Sequence, residues 1–237
     1  MIFETDGKIR YSEVDSDGNL TIDNMVNYLQ DVTMLHSEAV NMGAKEIART
    51  GCVWFLSTWQ VDIIRAPKIY ENVRIKTNPY EFKGFFGNRN VWIEAENGEV
   101  LVKANAIWIY LNVDTKVPVR VKDEVVAPYM PFEPKIDMEY ASRKIPMPQE
   151  GFEPLAPIPV REDNLDTNKH VNNCQYIKTA MVAAGIYKMP KRLRAEYKKS
   201  ALLGDVFYPY IHKEDNVTYV DLRSSEGESY ATVVFEY

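Results

Sequence analysis

A proline-rich stretch divides the chain into two halves that resemble each other, and this repetition limits the available folds. Nine of the 13 prolines in the 237 residues lie between Pro118 and Pro159. Residues 128–157 show little periodicity, which is typical of a connection between two units and unusual inside one compact domain. We therefore expect an N-terminal domain over 1–127, a linker over 128–157 and a C-terminal domain over 158–237.

Each half contains one helical segment followed by a series of strands. A first helix is predicted to begin near Asp23, a good N-cap residue, because Met25, Leu29 and Val32 follow at helical spacing. A second helix is predicted over 170–184. The predicted strands are 54–65, 71–82, 85–96 and 100–113 in the first half, and 193–200, 205–213, 216–224 and 229–237 in the second.

The two halves can be aligned along the chain. Asn24–Tyr28 aligns with Asn172–Tyr176 at an offset of 148, and Ile69–Val73 aligns with Leu202–Val206 at an offset of 133. The changed offset indicates a divergent tandem duplication rather than a repeat array. One helix and a run of antiparallel strands, present twice, predict an α+β protein in which each curved sheet wraps around its own long helix.

The bulk composition excludes several classes of protein. A net charge of −6 disfavours a general nucleic-acid binder. No stretch approaches 18 consecutive apolar residues, and the N-terminus lacks the features of a signal peptide. Two cysteines make no disulfide framework. These features predict a cytoplasmic protein with neither a membrane span nor a nucleic-acid partner.

A polar run before the second predicted helix is the main candidate site. Residues 164–176 read NLDTNKHVNNCQY, so that Asp166, Asn168 and His170 alternate along the chain. Histidine can act as an acid or base near neutrality, and an aspartate can orient and polarise it. Asparagine can donate an amide N–H, and the N–H groups at a helix start suit an oxyanion. This set predicts attack on a carbonyl group.

The alignment at an offset of 148 supports placing the site in the second half. At this offset Asp166, Asn168 and His170 align with Gly18, Leu20 and Ile22. A polar set present in only one copy suggests a task beyond folding. The alternative, equally weighted on pattern alone, is that Asp166 and Asn168 are turn and cap residues and that His170 is a half-buried helix start.

The run Leu165–Asn173, with Tyr176 after it, strongly resembles the signature of acyl-acyl carrier protein thioesterases. Arg10–Asp15 and Trp59–Pro67 resemble the N-terminal start and the first long strand of that family, so the resemblance covers essentially the whole chain. It implies a double hotdog fold, hydrolysis of the thioester of fatty acyl-acyl carrier protein and release of free fatty acid. It also implies that Asp166, Asn168 and His170 occupy the catalytic positions.

The sequence departs from the family at one position. Plant members carry a functional glutamate followed by cysteine about 30 residues beyond the histidine, where this chain has Ser200 and Ala201. A cysteine mechanism at that position is therefore excluded. Glu196 lies on the same predicted strand face as Ser200, but about 15 Å of strand separates them. We expect Asp166 and His170 to activate a water directly, with Ser200 only positioning it.

Other candidate groups are weaker. Cys174 lies four residues after His170, which allows a Cys–His nucleophilic pair, although such a cysteine is more often a packing residue. The run from Asp15 resembles a calcium loop only superficially, because Leu20 replaces the required glycine. His36 is expected to be a core or pocket-wall histidine. Neither a metal nor a cofactor is expected.

The resemblance gives two further features a role. A basic cluster suits an acidic acyl carrier protein with its phosphopantetheine-linked acyl chain. Its members are Lys188, Lys191, Arg192, Arg194, Lys198 and Lys199. All four tryptophans lie in the first half, and an aromatic pocket there could hold the acyl chain. The sequence leaves the formation of a homodimer open.

Three other functions remain compatible with these observations. One is an acyl-coenzyme A thioesterase, against which the basic cluster argues. Another is a non-catalytic acyl-binding hotdog protein, which the change at Ser200 keeps open. A hotdog dehydratase fits the motif less well.

Overall fold

The computed structural model describes residues 1–237 and divides into two compact units. The first comprises residues 1–57 and 61–141, and the second comprises residues 58–60 and 142–237. No helix is long and apolar enough to cross a membrane. Helices and antiparallel sheets occur in both units, so the predicted α+β class is confirmed.

The first unit contains one long helix and a five-stranded antiparallel sheet. Its helices are α1 (Ile22–Ala39), α2 (Ala44–Thr50) and α3 (Asp123–Val126). Its strands are β1 (Phe3–Lys8), β2 (Cys52–Ile63), β3 (Asn72–Lys83), β4 (Phe86–Ala95) and β5 (Val100–Asn112), in the spatial order β1-β3-β4-β5-β2. The predicted strands are therefore present, with ends that differ by one or two residues.

Helix α1 packs on the sheet through an apolar stripe. Met25, Leu29 and Val32 are at most 1% exposed and recur at helical spacing, as the sequence predicts. The helix contacts β1, β3 and β4. Its N-cap residue is Thr21, so the predicted N-cap at Asp23 is wrong. Aspartate instead occupies the first turn, where its charge favours the helix dipole.

Residues beyond the predicted domain boundary at 127 complete the first unit. Tyr129 is 2% exposed and packs in a cluster with Met42, Tyr110 and Val125. An aromatic side chain buries a large apolar area, and this burial holds the chain against the unit. The first unit therefore extends to Ala141.

The segment after Tyr129 is held by a row of buried asparagines. Cross-strand pairing in β3, β4 and β5 places three of them side by side, Asn78, Asn90 and Asn105. Asn90 Oδ1 accepts hydrogen bonds from the Ile136 backbone N–H at 3.2 Å and from the Tyr140 hydroxyl at 2.9 Å. These bonds give the buried Asn90 amide oxygen two partners and fix part of the proline-rich stretch on the first unit.

The second unit repeats the arrangement with shorter elements. Helix α4 (Asn173–Ala184) packs against three strands of a sheet ordered β8-β11-β10-β9. The strands are β8 (Arg192–Tyr197), β9 (Val206–Glu214), β10 (Val217–Arg223) and β11 (Ser229–Glu236), with the short β6 (Glu153–Pro154) and β7 (Ile158–Pro159) paired to β9. The predicted strand 193–200 ends early, at Tyr197.

Candidate active site

A tight loop before α4 brings the three predicted site residues together. The Asp166 backbone N–H donates to the His170 carbonyl at 2.7 Å, and the Lys169 N–H donates to the Asp166 carbonyl at 3.0 Å. Lys169 adopts φ +61°, in the left-handed region. These bonds close a five-residue turn in which the Asn168 side chain is exposed and Asp166 and His170 are half-buried.

The Asp166 carboxylate holds the backbone of this loop. Its Oδ1 accepts hydrogen bonds from the N–H of Asn168 at 2.8 Å and from the N–H of His170 at 3.2 Å. This is the turn geometry of an aspartate whose side chain replaces a backbone acceptor. The carboxylate therefore orients the backbone of His170, and the expected polarisation of the His170 imidazole by Asp166 stays a prediction.

Helix α4 begins after the histidine. Asn172 is its N-cap, and its side chain accepts a hydrogen bond from the Cys174 N–H at 3.1 Å. The predicted helix start at His170 is thus wrong, since the first helical residue is Asn173. The cap also occupies the Cys174 N–H, so that group is not free to bind an oxyanion.

A second segment lies directly beside the loop. The Val171 N–H donates to the Ala201 carbonyl at 2.9 Å, and His170 forms a β-bridge with Leu202. The Ala201 N–H donates to the Tyr176 hydroxyl at 2.8 Å, which ties this segment to α4. Burial raises the pKa of Tyr176, so it stays a neutral phenol that can accept this bond. Sequence reasoning did not identify this function of Tyr176.

Ser200 belongs to this segment rather than to a strand. Strand β8 ends at Tyr197, and the N–H groups of Lys198 and Lys199 both donate to the Tyr230 carbonyl. Ser200 is half-buried and immediately precedes the residue paired to the loop. The Glu196 carboxylate, four residues earlier, accepts a hydrogen bond from the Ile145 N–H at 3.1 Å. The alternation that put Glu196 and Ser200 on one strand face therefore does not apply.

Cys174 is buried in the second unit. Its residue is 3% exposed, and Gln175 Nε2 lies 3.8 Å from its Sγ atom. A buried cysteine of this kind behaves as a small packing residue, and the thiol nucleophile that a Cys–His pair needs is normally accessible.

The first unit contains the same loop. The Asp15 N–H donates to the Asn19 carbonyl at 2.8 Å, and Asp15 Oδ1 accepts from the N–H of Asp17 at 2.9 Å and of Asn19 at 2.8 Å. Gly18 has φ +73° and matches Lys169. The hydrogen bonds align Asp15 with Asp166, Asp17 with Asn168 and Asn19 with His170.

This alignment corrects the sequence comparison of the two halves. The offset at the loop is 151, because Asp166 corresponds to Asp15, and not 148. In the opposing segment, Asn19 bridges Lys68 as His170 bridges Leu202, so the offset there is 134 and not 133. The expectation that the first copy lacks a polar set is therefore wrong: both copies carry the aspartate, whereas Asn168 and His170 of the second copy align with Asp17 and Asn19.

The first unit also holds a pocket that opens to solvent. Its walls come from α1, the sheet and the segment around Tyr129. The lining residues include Met34, Trp54, Phe82, Arg89, Trp108 and Tyr129. His36 is 1% exposed and accepts a hydrogen bond from buried Arg89. This agrees with the interpretation of His36 as a core histidine.

The basic cluster is uneven in exposure. Lys188, Lys191, Lys198 and Lys199 are exposed, whereas Arg192 and Arg194 are half-buried. Arg194 donates to the backbone carbonyl of Ser142, and Lys199 pairs with Glu228 at 2.7 Å. The positive charge that remains accessible therefore comes mainly from the other lysines. No group of three or more histidine, cysteine or acidic side chains is arranged to hold a metal ion.

Comparisons with known proteins give consistent results. The family model for the acyl-ACP thioesterase N-terminal domain matches residues 1–129, and the model for the C-terminal domain matches residues 152–237. The chain is 28% identical over 191 residues to the chloroplastic oleoyl-acyl carrier protein thioesterase 1 of Arabidopsis thaliana, covering 71% of this chain and 51% of that protein. It is 27% identical over 194 residues to a chloroplastic palmitoyl-acyl carrier protein thioesterase of Cuphea hookeriana, covering 75% and 45%.

The fold matches solved structures over nearly its whole length. An acyl-ACP thioesterase from Bacteroides thetaiotaomicron superposes with a TM-score of 0.88 at 20% identity, covering 99% of this chain and 97% of that one. The 12:0-ACP thioesterase from Umbellularia californica gives 0.87 at 18% identity, covering 99% and 96%. These matches confirm the predicted double hotdog fold.

The chain spans about half the length of the curated relatives that it matches. The two family models nevertheless account for most of its residues, one in each half. The chain belongs to the acyl-ACP thioesterase family.

Proposed function

We propose that this protein hydrolyses the thioester of fatty acyl-acyl carrier protein and releases free fatty acid. The observation that carries the proposal is the loop before α4, which presents His170 on a hydrogen-bonded turn that the first unit forms without a histidine. An ionisable group added to a conserved turn geometry indicates chemistry rather than folding.

Three residues of the loop have separate roles in this proposal. His170 takes a proton from water, whose oxygen attacks the thioester carbonyl. Asn168, whose side chain is exposed, donates its amide to the developing oxyanion or to the water. The carbon–sulfur bond then breaks, and the proton on His170 passes to the departing thiolate. Asp166 acts as a positioning residue, because its carboxylate fixes the backbone of the other two.

Ser200 contributes position rather than charge in this mechanism. It lies in the segment that pairs with the loop, one residue before Ala201. A serine hydroxyl can hydrogen-bond a water but cannot act as a carboxylate base near neutrality. His170 is therefore the base that activates the water.

The two units have different functions in this proposal. The second unit performs the chemistry, and the pocket of the first unit holds the acyl chain. Support comes from the aromatic walls of that pocket, which include Trp54, Phe82 and Trp108. Substitutions that enlarge or fill this pocket should change chain-length preference without abolishing hydrolysis.

The exposed lysines of the basic cluster bind the acidic carrier protein. Lys188 and Lys191 are the most suitable, because both are exposed, whereas Lys199 is paired with Glu228. Charge-reversing substitutions at these two lysines should raise KM for the carrier-protein substrate and leave KM for coenzyme A thioesters unchanged. Equal effects on both substrates, or binding that ignores salt, would contradict this assignment.

We place this activity in the cytoplasm. Neither Cys52 nor Cys174 forms a disulfide, and reduced cysteines are typical of reducing compartments. The location can be tested by fractionating cells that produce the protein.

The primary experiment compares hydrolysis of a panel of acyl carrier protein thioesters with the matching coenzyme A thioesters. Wild type should release fatty acid from carrier protein, and His170→Ala should lose that release. The matched control is Asn19→Ala, which alters the equivalent position of the first loop and should keep activity. Faster release from coenzyme A would instead favour an acyl-coenzyme A thioesterase. Tight acyl binding without hydrolysis would favour the non-catalytic alternative, which the serine at position 200 motivates.

A further inference from the structure

The first unit buries an arginine without a carboxylate partner. Arg89 lies on β4, is 7% exposed and forms no ion pair within the chain. Buried arginines are normally paired with an acid, since an unpaired buried charge is strongly disfavoured. Burial lowers the pKa of Arg89 to about 10, so the guanidinium still carries its charge at neutral pH.

The protein groups around Arg89 accept hydrogen bonds from only one of its guanidinium nitrogens. Its Nη1 donates to His36 Nδ1 at 2.9 Å and to Thr77 Oγ1 at 3.3 Å, and the guanidinium lies 5.4 Å from the Tyr129 ring centre. Burial and the nearby Arg89 charge lower the pKa of His36 to about 4, so the imidazole is neutral and accepts this bond. A guanidinium has five N–H donors, and both protein acceptors contact the same nitrogen.

Arg89 lines the pocket of the first unit together with a second unsatisfied donor. Trp108 also lines this pocket, and its buried Nε1 has no hydrogen-bond partner. The nearby hydroxyls are already engaged, since Tyr129 donates to Ser37 and Ser37 donates to the Thr33 carbonyl. The polar groups that line the pocket thus include a guanidinium with N–H groups to spare and an indole N–H without a partner, among mainly apolar walls.

We propose that this pocket selects acyl chains that carry an oxygen atom far from the thioester, as a hydroxyl, keto or carboxylate group. The apolar walls take the methylene chain, and the oxygen accepts hydrogen bonds from Arg89. A purely hydrocarbon chain would leave the guanidinium without that acceptor. The inference rests on the proposed function in one respect, namely that the acyl chain of the substrate enters this pocket.

The first test compares two carrier-protein substrates of equal chain length, one plain and one with a hydroxyl on the terminal carbon. Wild type should hydrolyse the hydroxylated substrate with a kcat/KM about tenfold higher, because unpaired polar groups penalise the analogue that lacks the oxygen. Moving the hydroxyl next to the thioester should remove the advantage. Equal rates for all positions, or a preference for the plain chain, would overturn the proposal.

Substitutions test whether Arg89 causes the preference for the hydroxylated substrate. Arg89→Met should reduce the ratio of the two kcat/KM values to about one. Arg49→Met, at an exposed arginine on α2, is the matched control and should keep the wild-type ratio. If Arg89→Met fails to fold, Arg89→Lys and Trp108→Phe keep the test available, since each removes donors and should lower the ratio. An unchanged ratio in every folded variant would contradict the assignment.

A binding measurement separates failure of this inference from failure of the proposed function. Thermal unfolding is followed with octanol and with chlorooctane, which share a chain but differ in hydrogen bonding. Octanol should raise the Tm of wild type more than chlorooctane does, and Arg89→Lys should remove the difference. This outcome would support the pocket even if no thioester were hydrolysed. Equal shifts for both probes in wild type would overturn the pocket assignment even if plain thioesters were hydrolysed.

Discussion

The loops at Asp15–Asn19 and Asp166–His170 have the same backbone hydrogen bonds and different side chains at the last position. In both, an aspartate accepts from two backbone N–H groups and the fourth residue has positive φ. The first loop ends in an asparagine that bonds to Asp15 and Lys68, and the second ends in His170. The turn is thus part of the fold, and the side chains of Asn168 and His170 distinguish the proposed site from its copy, which has Asp17 and Asn19 there.

Exchanging the last residue of the two loops should have the largest effect on kcat. His170→Asn should lower kcat by about 10²- to 10⁴-fold, because it removes the general base from an otherwise intact turn. Adding Asn19→His to the His170→Asn variant should not restore hydrolysis. Kinetics with an acyl carrier protein substrate measure both. Retained turnover in His170→Asn, with a normal Tm, would show that the histidine is not the base.

The two aspartates should be equivalent for stability and different for activity. Asp15→Ala and Asp166→Ala should each lower the free energy of unfolding by about 1–3 kcal/mol, because each leaves two loop N–H groups without their acceptor. Only Asp166→Ala should also lower kcat, since it displaces His170. Denaturant unfolding and steady-state kinetics together separate these effects, and equal loss of kcat in both variants would indicate a general folding defect.

Removing the left-handed strain in the second loop should have a smaller effect. Lys169 has φ +61° where the first loop has Gly18. Lys169→Gly should raise the free energy of unfolding by about 1 kcal/mol, since a side chain is disfavoured in that region. Gly18→Lys should lower it by a similar amount. Chemical denaturation measures both, and a destabilised Lys169→Gly would show that the lysine side chain makes a stabilising contact.

The first loop should make stability depend on acid pH. Burial opposes ionisation of Asp15, but hydrogen bonds from Asn19 and Asp17 outweigh it and lower its pKa. A carboxyl group whose pKa is lower in the folded state adds stability above the unfolded pKa, and this stability is lost as pH falls through the folded pKa. The stability advantage of wild type over Asp15→Asn should therefore be constant above about pH 5 and shrink below about pH 4. Unfolding at a series of pH values tests this, and a constant advantage down to pH 3 would contradict it.

The smallest effect is expected at Ser200. Ser200→Ala should lower kcat by less than about fivefold, because the proposed serine positions a water that neighbouring polar groups also hold. Loss of nearly all turnover in the variant would mean that Ser200 takes part directly in the chemistry.

Much of the fold could be predicted from the sequence. The stripe Met25, Leu29 and Val32 and the strong strand patterns identified the long helix and the strands, because burial on one face imposes a period that can be read directly. Asp166, Asn168 and His170 could also be identified as a set, since they lie within five residues of one another. The loop geometry places them together without any long-range contact.

The alignment of the two copies shows where sequence reasoning failed. Asn24 and Asn172 were matched at an offset of 148, whereas the hydrogen bonds give 151. The difference of three residues is close to one helical turn of 3.6, so the apolar stripe looks nearly the same in both alignments. The asparagines near the start of the helix in both copies then favoured the wrong alignment, at an offset of 148.

The sequence by itself determined the duplication, the α+β class, the family and the residues of the second loop, because these depend on local periodicity and short motifs. Only the tertiary structure decided that Asp166 accepts from the backbone N–H groups of Asn168 and His170, that Asn172 caps α4, and that Ser200 lies beside the loop. It also revealed the buried Arg89 beside His36. Each depends on segments distant in the chain or on the direction of a side chain, which hydrophobic patterns do not encode.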